Sequence, residues 1–395
     1  MEPLAFELEL DGAAWAEALG WAARALPPRP ALPVLAGLLV EVPGEPGDGE
    51  PSGPPAVSCF DHEVAARAQL PAEAVLAARG AGRVLLPGRP LAEFARALRG
   101  GPVVLRVGHP EGGAAEAELV GGGARFALAA LPLDEYPTAP PGPPPAGTVP
   151  GPELAEAVAQ VARAAGRDDT VPALTGILLE ADGATLTLSA TDRYRFARRT
   201  LPWSPIGAAG PHTALIPARL LEGLARTFGG TEVELAFGAE DDGGGEGLLS
   251  LAYGARRLTT RLLTGRLPGF ARLMPDPAEA ATTVEADAAE LAAAVRRVML
   301  AADQQTPLRV RFHEDSVELG VSDAGSGVRG HERVAARRTG PALETAFTGE
   351  WLRDGIEGVA AERVLLHATT PTRPVLLTAP EPADYHYLLS PRRVS

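Results

Sequence analysis

The chain carries two kinds of hydrophobic pattern that alternate, and the whole series of patterns occurs three times. Apolar residues spaced by three or four predict a first helix in each third, at Gly12–Leu26, Pro152–Ala165 and Asp287–Ala301. Alternating apolar and polar residues predict the strands that follow. Each third is therefore expected to fold as an α+β unit with helices packed on an antiparallel sheet.

Each first helix is followed by a strand, a second helix and closing strands. The strands are predicted at Leu32–Val42, Thr170–Leu179 and Thr306–Phe312, and the second helices within 85–98, 215–228 and 346–356. Two proline-containing linkers, Pro137–Pro152 and Met274–Thr283, separate the thirds. The predicted domains are 1–142, 148–275 and 281–395.

An aspartate in a tight turn recurs at a constant interval. Asp61, Asp192 and Asp323 are each 131 residues apart. Aspartate is common in turns because its side chain accepts hydrogen bonds from the backbone just ahead of it. The interval indicates one structural unit used three times, and the Asp192 turn is expected to lie between two strands within Leu188–Trp203.

Arginines recur on the outward faces of the predicted helices. Glu357 stands where the third repeat would predict one of them. A solvated helix face and a surface for DNA phosphates both explain such arginines, and their matched register in an acidic chain favours the second. No helix resembles a base-reading recognition helix, so contacts without base readout are expected. The candidate DNA-binding residues are Arg24, Arg29, Arg96, Arg163, Arg167 and Arg226.

Composition indicates an intracellular globular protein. The net charge is −14 and every one of the 36 basic residues is arginine, so DNA binding depends on where that charge lies. The single cysteine, Cys59, excludes an internal disulfide, which fits a reducing cytoplasm. The acidic start at Met1 argues against a signal peptide, and no apolar run approaches the length of a membrane span.

No pattern in the chain points to catalysis. The seven histidines form no metal-spaced pair, and neither a phosphate loop nor a nucleophile elbow is present. Asp168–Asp169 and Asp241–Asp242 are acidic pairs for which a solvated loop is favoured over a glycosidase-type site. The expectation is a binding protein without a catalytic site, metal or cofactor.

Several segments together resemble the bacterial DNA polymerase III beta subunit, the DNA sliding clamp. The resemblance covers essentially the whole chain, and its characteristic segments begin at Arg29, Asp168, Ala190, Arg266 and Tyr387. It implies a head-to-tail homodimer in which six similar domains form a ring around duplex DNA. It also implies binding to the polymerase III alpha subunit, the clamp loader and other proteins with a clamp-binding motif.

The resemblance further implies a partner pocket and a dimer contact. A short peptide with apolar anchors would enter the pocket, although Leu174 and Phe196 are equally well explained as core residues. Phe126 and Leu128 would meet Met299 and Leu300 across the dimer contact. The pocket positions are Leu174, Thr191, Tyr194, Arg195, Phe196, Pro268, Arg272, Leu273, Trp351, Leu388, Leu389, Pro391 and Arg393.

The tail departs from the family pattern and leaves alternatives open. Family members usually carry apolar residues, often methionine, around the tail proline, whereas Ser390 and Arg392 flank Pro391 here. Reduced or altered peptide affinity is therefore expected. The chain is expected to be a replication clamp. A duplicate clamp with a changed pocket, for example one that tolerates an inhibitor, and a scaffold that does not encircle DNA are the alternatives.

Overall fold

A computed structural model describes most of the chain, which forms two compact units. The first unit contains Met1–Thr148 and Thr231–Arg261, and the second contains Val149–Gly230 and Leu262–Ser395. The described residues are 4–44, 53–108, 115–207, 210–238, 247–268, 274–303, 306–322, 328–381 and 384–392.

The helices and strands follow the threefold order predicted from the pattern. The first third contains β1 (Leu4–Asp11), α1 (Gly12–Ala22), β2 (Gly37–Val42), β3 (Ala56–Phe60), β4 (Val64–Gln69), β5 (Val75–Gly80), β6 (Gly82–Pro87), α2 (Gly88–Ala97), β7 (Pro102–Gly108), β8 (Glu116–Gly121) and β9 (Ala124–Ala129). The second contains β10 (Gly147–Pro150), α3 (Gly151–Val161), β11 (Gly176–Asp182), β12 (Thr185–Thr191), β13 (Arg195–Pro202), β14 (Ser204–Pro205), β15 (His212–Pro217), α4 (Ala218–Ala225), β16 (Glu232–Gly238), β17 (Leu248–Tyr253) and β18 (Arg256–Arg261). The last contains β19 (Thr282–Asp287), α5 (Ala288–Met299), β20 (Leu308–Phe312), β21 (Ser316–Ser322), β22 (Arg329–Thr339), β23 (Leu343–Phe347), α6 (Gly349–Gly358), β24 (Arg363–Ala368), β25 (Val375–Thr378) and β26 (Tyr385–Leu389).

Antiparallel sheets connect neighbouring repeats within each unit. In the first unit one sheet has the order β5-β1-β7-β8-β9, and another includes β16-β17-β18-β4-β3-β2-β6. The second unit is built on the order β15-β11-β12-β13-β26-β25-β24-β19-β22-β21-β20-β23. The strand β18 pairs with β4, and β13 pairs with β26, so each repeat contributes strands to a sheet shared with the next.

The first helices begin and pack as their sequences predict. The Asp11 side chain accepts a hydrogen bond from Ala14 N at 2.9 Å, and Asp287 does the same for Glu290 N at 2.8 Å, which satisfies a free helical N–H in each case. The apolar stripes are buried against the sheets, which accounts for most of the helical stability. The buried stripe residues are Trp15, Leu19, Ala22, Leu154, Val158, Val161, Leu291, Val295 and Val298.

Two predicted strands begin later than expected. The prediction of a strand over Leu32–Val42 is wrong for its first part, because Pro33–Ala36 forms a 3-10 turn and the strand starts at Gly37. The same correction applies at Pro172–Thr175. Proline has a φ compatible with a helical turn and lacks an N–H to donate to a sheet, so the turn is preferred here.

The linkers are shorter than the prolines and glycines suggest. Residues 147–150, predicted as linker, form β10, and α3 begins directly at Gly151. The second linker contains a 3-10 turn at Pro277–Glu279 before β19 begins at Thr282.

The recurring aspartate turn is confirmed at two of its three positions. Asp192 Oδ1 accepts from Tyr194 N and Arg195 N, both at 3.0 Å, and Asp61 accepts from the corresponding amides of Glu63 and Val64. The residue after each aspartate has a positive φ, 77° at His62 and 81° at Arg193. Asp323 lies outside the described residues.

Candidate functional site

A cleft in the second unit brings three of the predicted DNA-binding arginines together. Its cavity of about 830 Å³ is lined by α3, α4 and α6 and includes Arg163, Arg167 and Arg226. Arg219 and Arg353 line it as well. The same cleft is also lined by Asp169, Glu222, Glu350 and Asp354, so its five arginines exceed its four acidic side chains by one. A polyanion bound there would contact several arginines at once.

Arg163 is already paired within the protein. Its Nη1 atom lies 3.0 Å from Glu357 Oε2 and 3.7 Å from Asp354 Oδ1. The glutamate that breaks the arginine pattern in the third repeat therefore faces an arginine of the second repeat. The side chain of Arg163 is 34% exposed, so solvent weakens this pair and an external anion can compete for the guanidinium.

The arginines predicted in the first unit are all exposed. Arg24 lies in the 3-10 turn Ala23–Ala25 that continues α1, and Arg29 follows in the next turn. Arg96 lies in the last turn of α2, where a positive charge also interacts favourably with the helix dipole. These positions leave the guanidinium groups accessible to a ligand outside the unit.

A second cavity in the same unit contains four of the predicted pocket residues. It has a volume of about 320 Å³ and is lined by Leu174, Tyr194, Arg195 and Trp351, together with the loop from Ala165 to Val171. The Tyr194 ring stacks on the Trp351 ring with centroids 5.4 Å apart and planes inclined by 21°. Tyr194 is 56% exposed, so this aromatic pair forms an accessible wall of the cavity.

Arg195 is held rigidly at the edge of this second cavity, which is called the partner pocket after the role that the sequence predicts for it. Its Nε atom lies 2.8 Å from Asp192 Oδ2 and its Nη1 atom lies 2.7 Å from Asp354 Oδ2, while the guanidinium carbon is 5.5 Å from the centre of the Trp351 ring. Only 7% of this side chain is exposed. A buried cation needs such charged partners, because an unpaired one would be strongly destabilising.

Tyr387 completes the polar network beneath the pocket. Burial raises the pKa of its hydroxyl, while the neighbouring Arg195 opposes that rise. The hydroxyl therefore stays protonated and donates to the Trp351 carbonyl at 2.9 Å. This bond ties the start of α6 to β26.

Three domain descriptions of one protein family match successive parts of the chain. The descriptions "DNA polymerase III beta subunit, N-terminal domain", "central domain" and "C-terminal domain" match residues 6–140, 148–269 and 272–393 in turn.

The chain belongs to the DNA polymerase III beta subunit family.

Curated relatives agree with this assignment to the sliding clamp family. The chain is 40% identical over 389 residues to the beta sliding clamp of Streptomyces coelicolor, with 96% of this chain and 97% of the relative covered. It is 36% identical over 347 residues to a protein of Streptomyces muensis named beta sliding clamp homolog GriR, with 88% and 86% covered.

Solved clamp structures share the fold. A Pseudomonas aeruginosa sliding clamp bound to griselimycin matches with a TM-score of 0.86 and 22% identity, covering 99% of this chain and all of that one. The Bacillus subtilis sliding clamp matches with a TM-score of 0.87 and 19% identity at the same coverage. Both matches establish the architecture of the chain as that of a clamp.

The remaining clamp-pocket residues divide between core and surface. Thr191, Phe196, Leu388 and Leu389 are buried in the sheet, and Phe196 packs with Leu376 and Leu388. For Phe196 this burial agrees with the core explanation, and none of the four side chains lines the 320 Å³ cavity. Pro268 is exposed and Pro391 is half-buried, while Arg272, Leu273 and Arg393 lie outside the described residues.

The clamp tail is held by backbone hydrogen bonds. The Ser390 N–H donates to the Tyr194 carbonyl at 2.9 Å, and the Arg392 N–H donates to the Ala346 carbonyl at 2.7 Å. The first of these bonds fixes Ser390 beside the aromatic wall of the partner pocket.

The residues predicted at the clamp dimer contact differ in exposure. Phe126 is half-buried and stacks on Phe94 with centroids 4.2 Å apart, and Leu128 is buried on the same strand, β9, which ends its sheet. Met299 is half-buried, whereas Leu300 is 84% exposed. Leu300 is the most exposed large apolar side chain of the described residues.

Sequence reasoning missed the acidic side of both sites. Asp354 and Tyr387 contact Arg195 from 159 and 192 residues away, and no periodicity links such distant positions. The one available signal was Glu357, which breaks the repeat of arginines.

Across the described ranges, no group of three or more histidine, cysteine or acidic side chains is arranged to hold a metal ion. In that same part of the chain, no helix is both long and apolar enough to cross a membrane.

Proposed function

We propose that this chain encircles duplex DNA as a head-to-tail homodimer and tethers the replicative polymerase for processive synthesis. Two copies of one contact, in which Phe126 and Leu128 of one protomer meet Met299 and Leu300 of the other, would close a ring after a twofold rotation. The domains would be 1–142, 148–275 and 281–395. The protein acts in the cytoplasm as a processivity factor without a catalytic site of its own.

The arginine cleft is the observation that carries the proposal. Arg163 lies in the 3-10 turn Ala162–Ala164, Arg167 in the loop after it and Arg226 at the C-cap of α4, and all three face one cavity in a chain whose net charge is −14. The five arginines of this cleft outnumber its four acidic residues, in contrast to the acidic chain as a whole, and this local balance favours a polyanion bound there. Contacts to phosphates alone leave the protein free to move along DNA, as a sliding tether requires.

The second cavity supplies the attachment point for partners. Its aromatic wall and the apolar side chain of Leu174 suit the anchors of a short peptide, and the buried Arg195 keeps that wall in place. The polymerase III alpha subunit, the clamp loader and other proteins with a clamp-binding motif would use it in turn.

The salt dependence of DNA binding tests the proposal. Binding to a short linear duplex is measured by fluorescence anisotropy across a salt series for the wild type, Arg167→Gln and Arg226→Gln. Each substitution should reduce the slope of log K against log salt by about 1, because one phosphate contact is lost. Arg373→Gln is the matched control, since Arg373 is exposed outside the cleft. Equal slopes for all four proteins would contradict the assignment of the cleft to DNA.

A duplicate clamp with an altered partner pocket is the second candidate. Ser390 and Arg392 replace apolar residues of the family tail, and the Ser390 N–H is hydrogen-bonded to the Tyr194 carbonyl beside the pocket. The chain also resembles GriR, a relative that is named a beta sliding clamp homolog and not a beta sliding clamp. Titration of a fluorescent clamp-binding peptide separates the two candidates, because micromolar or tighter affinity would favour the replication clamp.

A further inference from the structure

The carboxylate of Asp354 lies between the partner pocket and the arginine cleft. Its Oδ2 atom is 2.7 Å from Nη1 of Arg195, which lines the pocket, and its Oδ1 atom is 3.7 Å from Nη1 of Arg163, which lines the cleft. The Asp354 side chain is only 16% exposed, so the two arginines interact with it in a partly desolvated setting. Arg353, a second cleft arginine, has its Nη2 atom 3.7 Å from the same Oδ1 atom, so this one charge is shared among three arginines of the two candidate sites.

On the pocket side, Arg195 has little freedom to move. It is 7% exposed, and Asp192 and Asp354 hold its guanidinium from two directions. The same guanidinium lies 5.5 Å from the centre of the Trp351 ring, which stacks on Tyr194. A stronger electrostatic attraction between Asp354 and Arg195 would therefore restrict the Trp351 and Tyr194 rings, which a peptide anchor would contact.

On the cleft side, Arg163 has two possible partners. Without DNA it lies against Glu357 and near Asp354, and its 34% exposure leaves it open to a phosphate from the cleft. The structure shows the first arrangement, and a phosphate contact would create a second, the kind of two-state element through which two sites can be coupled.

We infer that Asp354 couples DNA binding in the cleft to peptide binding in the pocket, with Arg163 as the moving element. This inference rests on the proposed function. When a phosphate draws Arg163 away, Asp354 loses one counter-charge and interacts more strongly with Arg195. The pocket wall becomes better fixed, so DNA strengthens peptide binding, and by linkage the peptide strengthens DNA binding by the same factor. Partly exposed pairs of this kind support a change of about two- to fivefold.

The test is the ratio of peptide affinities with and without DNA. A fluorescein-labelled clamp-binding peptide is titrated against the protein alone and against the protein saturated with a short linear duplex. The wild-type ratio should be about two- to fivefold in favour of the DNA-bound protein. Arg163→Gln should bring the ratio to unity. Arg226→Gln is the control. Arg226 lines the cleft but forms no ion pair with Asp354 among the described residues, so its loss should weaken DNA binding and leave the ratio of peptide affinities at the wild-type value.

A second substitution gives a prediction of opposite sign. Glu357→Gln removes the carboxylate nearest to Arg163, so Arg163 should form a stronger ion pair with Asp354 when DNA is absent. DNA binding then removes a stronger ion pair from Asp354, so the ratio of peptide affinities with and without DNA should exceed that of the wild type. This variant retains every cleft arginine, so DNA binding remains measurable.

The outcomes separate this inference from the proposed function. A wild-type ratio of unity, an Arg163→Gln ratio equal to that of the wild type, or a Glu357→Gln ratio at or below it would each overturn the coupling while both ligands still bind. Failure of the wild-type protein to bind the peptide, or to be retained on circular duplex DNA, would instead contradict the proposed function.

Discussion

Replacement of Trp351 by alanine tests the partner pocket directly. The indole stacks on Tyr194 with centroids 5.4 Å apart and lies 5.5 Å from the Arg195 guanidinium, so Trp351→Ala removes an aromatic pair and a cation–π contact together. The pair is worth about 0.5–1.5 kcal/mol and the cation–π contact about 0.5–1 kcal/mol. Both losses leave the pocket without its rigid wall.

The magnitude follows from where these contacts act. Aromatic residues at the centre of a peptide site typically contribute at least about 2 kcal/mol to binding, which corresponds to roughly a 30-fold loss of affinity. Because Trp351 is only half-buried, we expect the free energy of unfolding to fall by just about 1–2 kcal/mol. Affinity should therefore change far more than stability.

Fluorescence anisotropy of a labelled clamp-binding peptide gives the affinity, and urea unfolding gives the stability. Trp351→Phe should recover much of the binding because a ring remains to stack on Tyr194. Ile206→Ala, which truncates a 52% exposed apolar side chain that does not line the pocket, should bind like the wild type. A Trp351→Ala protein that is folded and binds the peptide within about threefold of the wild type would refute the assignment of the pocket.

Three further predictions follow from other parts of the structure. Leu300→Asp should convert the dimer to a monomer near 40.8 kDa in sedimentation, because a charge would replace an exposed apolar contact residue; a stable dimer would remove Leu300 from the interface. Burial lowers the pKa of His367, with nearby His386 adding to the effect, and burial with Arg198 lowers that of His386. Both rings are thus favoured neutral in the folded state, so the free energy of unfolding should be constant above about pH 6.5 and fall as the pH drops below it; urea unfolding that is unchanged down to about pH 5 would contradict this. Ser390→Met should tighten peptide binding by restoring apolar contact beside Tyr194, and an unchanged dissociation constant would show that the tail substitution does not limit affinity.

Local features of the fold were predictable from the sequence because their causes are local. The Trp15–Leu19 spacing places both side chains on one helix face, and Asp192 satisfies backbone amides two and three residues ahead. The 3-10 turn at Pro33–Ala36 was missed because the fixed φ of proline suits both a turn and the start of an extended segment.

The sites were predictable only in part, for a different physical reason. The repeat marked Arg163 and Arg226, and the family resemblance marked Arg195 and Trp351, since these positions are defined by register. Asp354 could not be found in this way, because its role depends on α6 lying close to both arginines in the folded chain. Phe196 was equally hard to assign, because its burial depends on packing against Leu376 and Leu388, which are distant in sequence.

Retention on circular DNA tests most directly whether the protein encircles its ligand. The labelled protein is loaded by a clamp loader onto nicked circular duplex DNA, freed of unbound protein by gel filtration, and measured before and after a restriction enzyme linearises the circle. We predict that the protein stays with the circle and is lost on linearisation, because a closed ring can leave only over an end. Equal retention on circular and linear DNA, or no retention on either, would contradict a topological link.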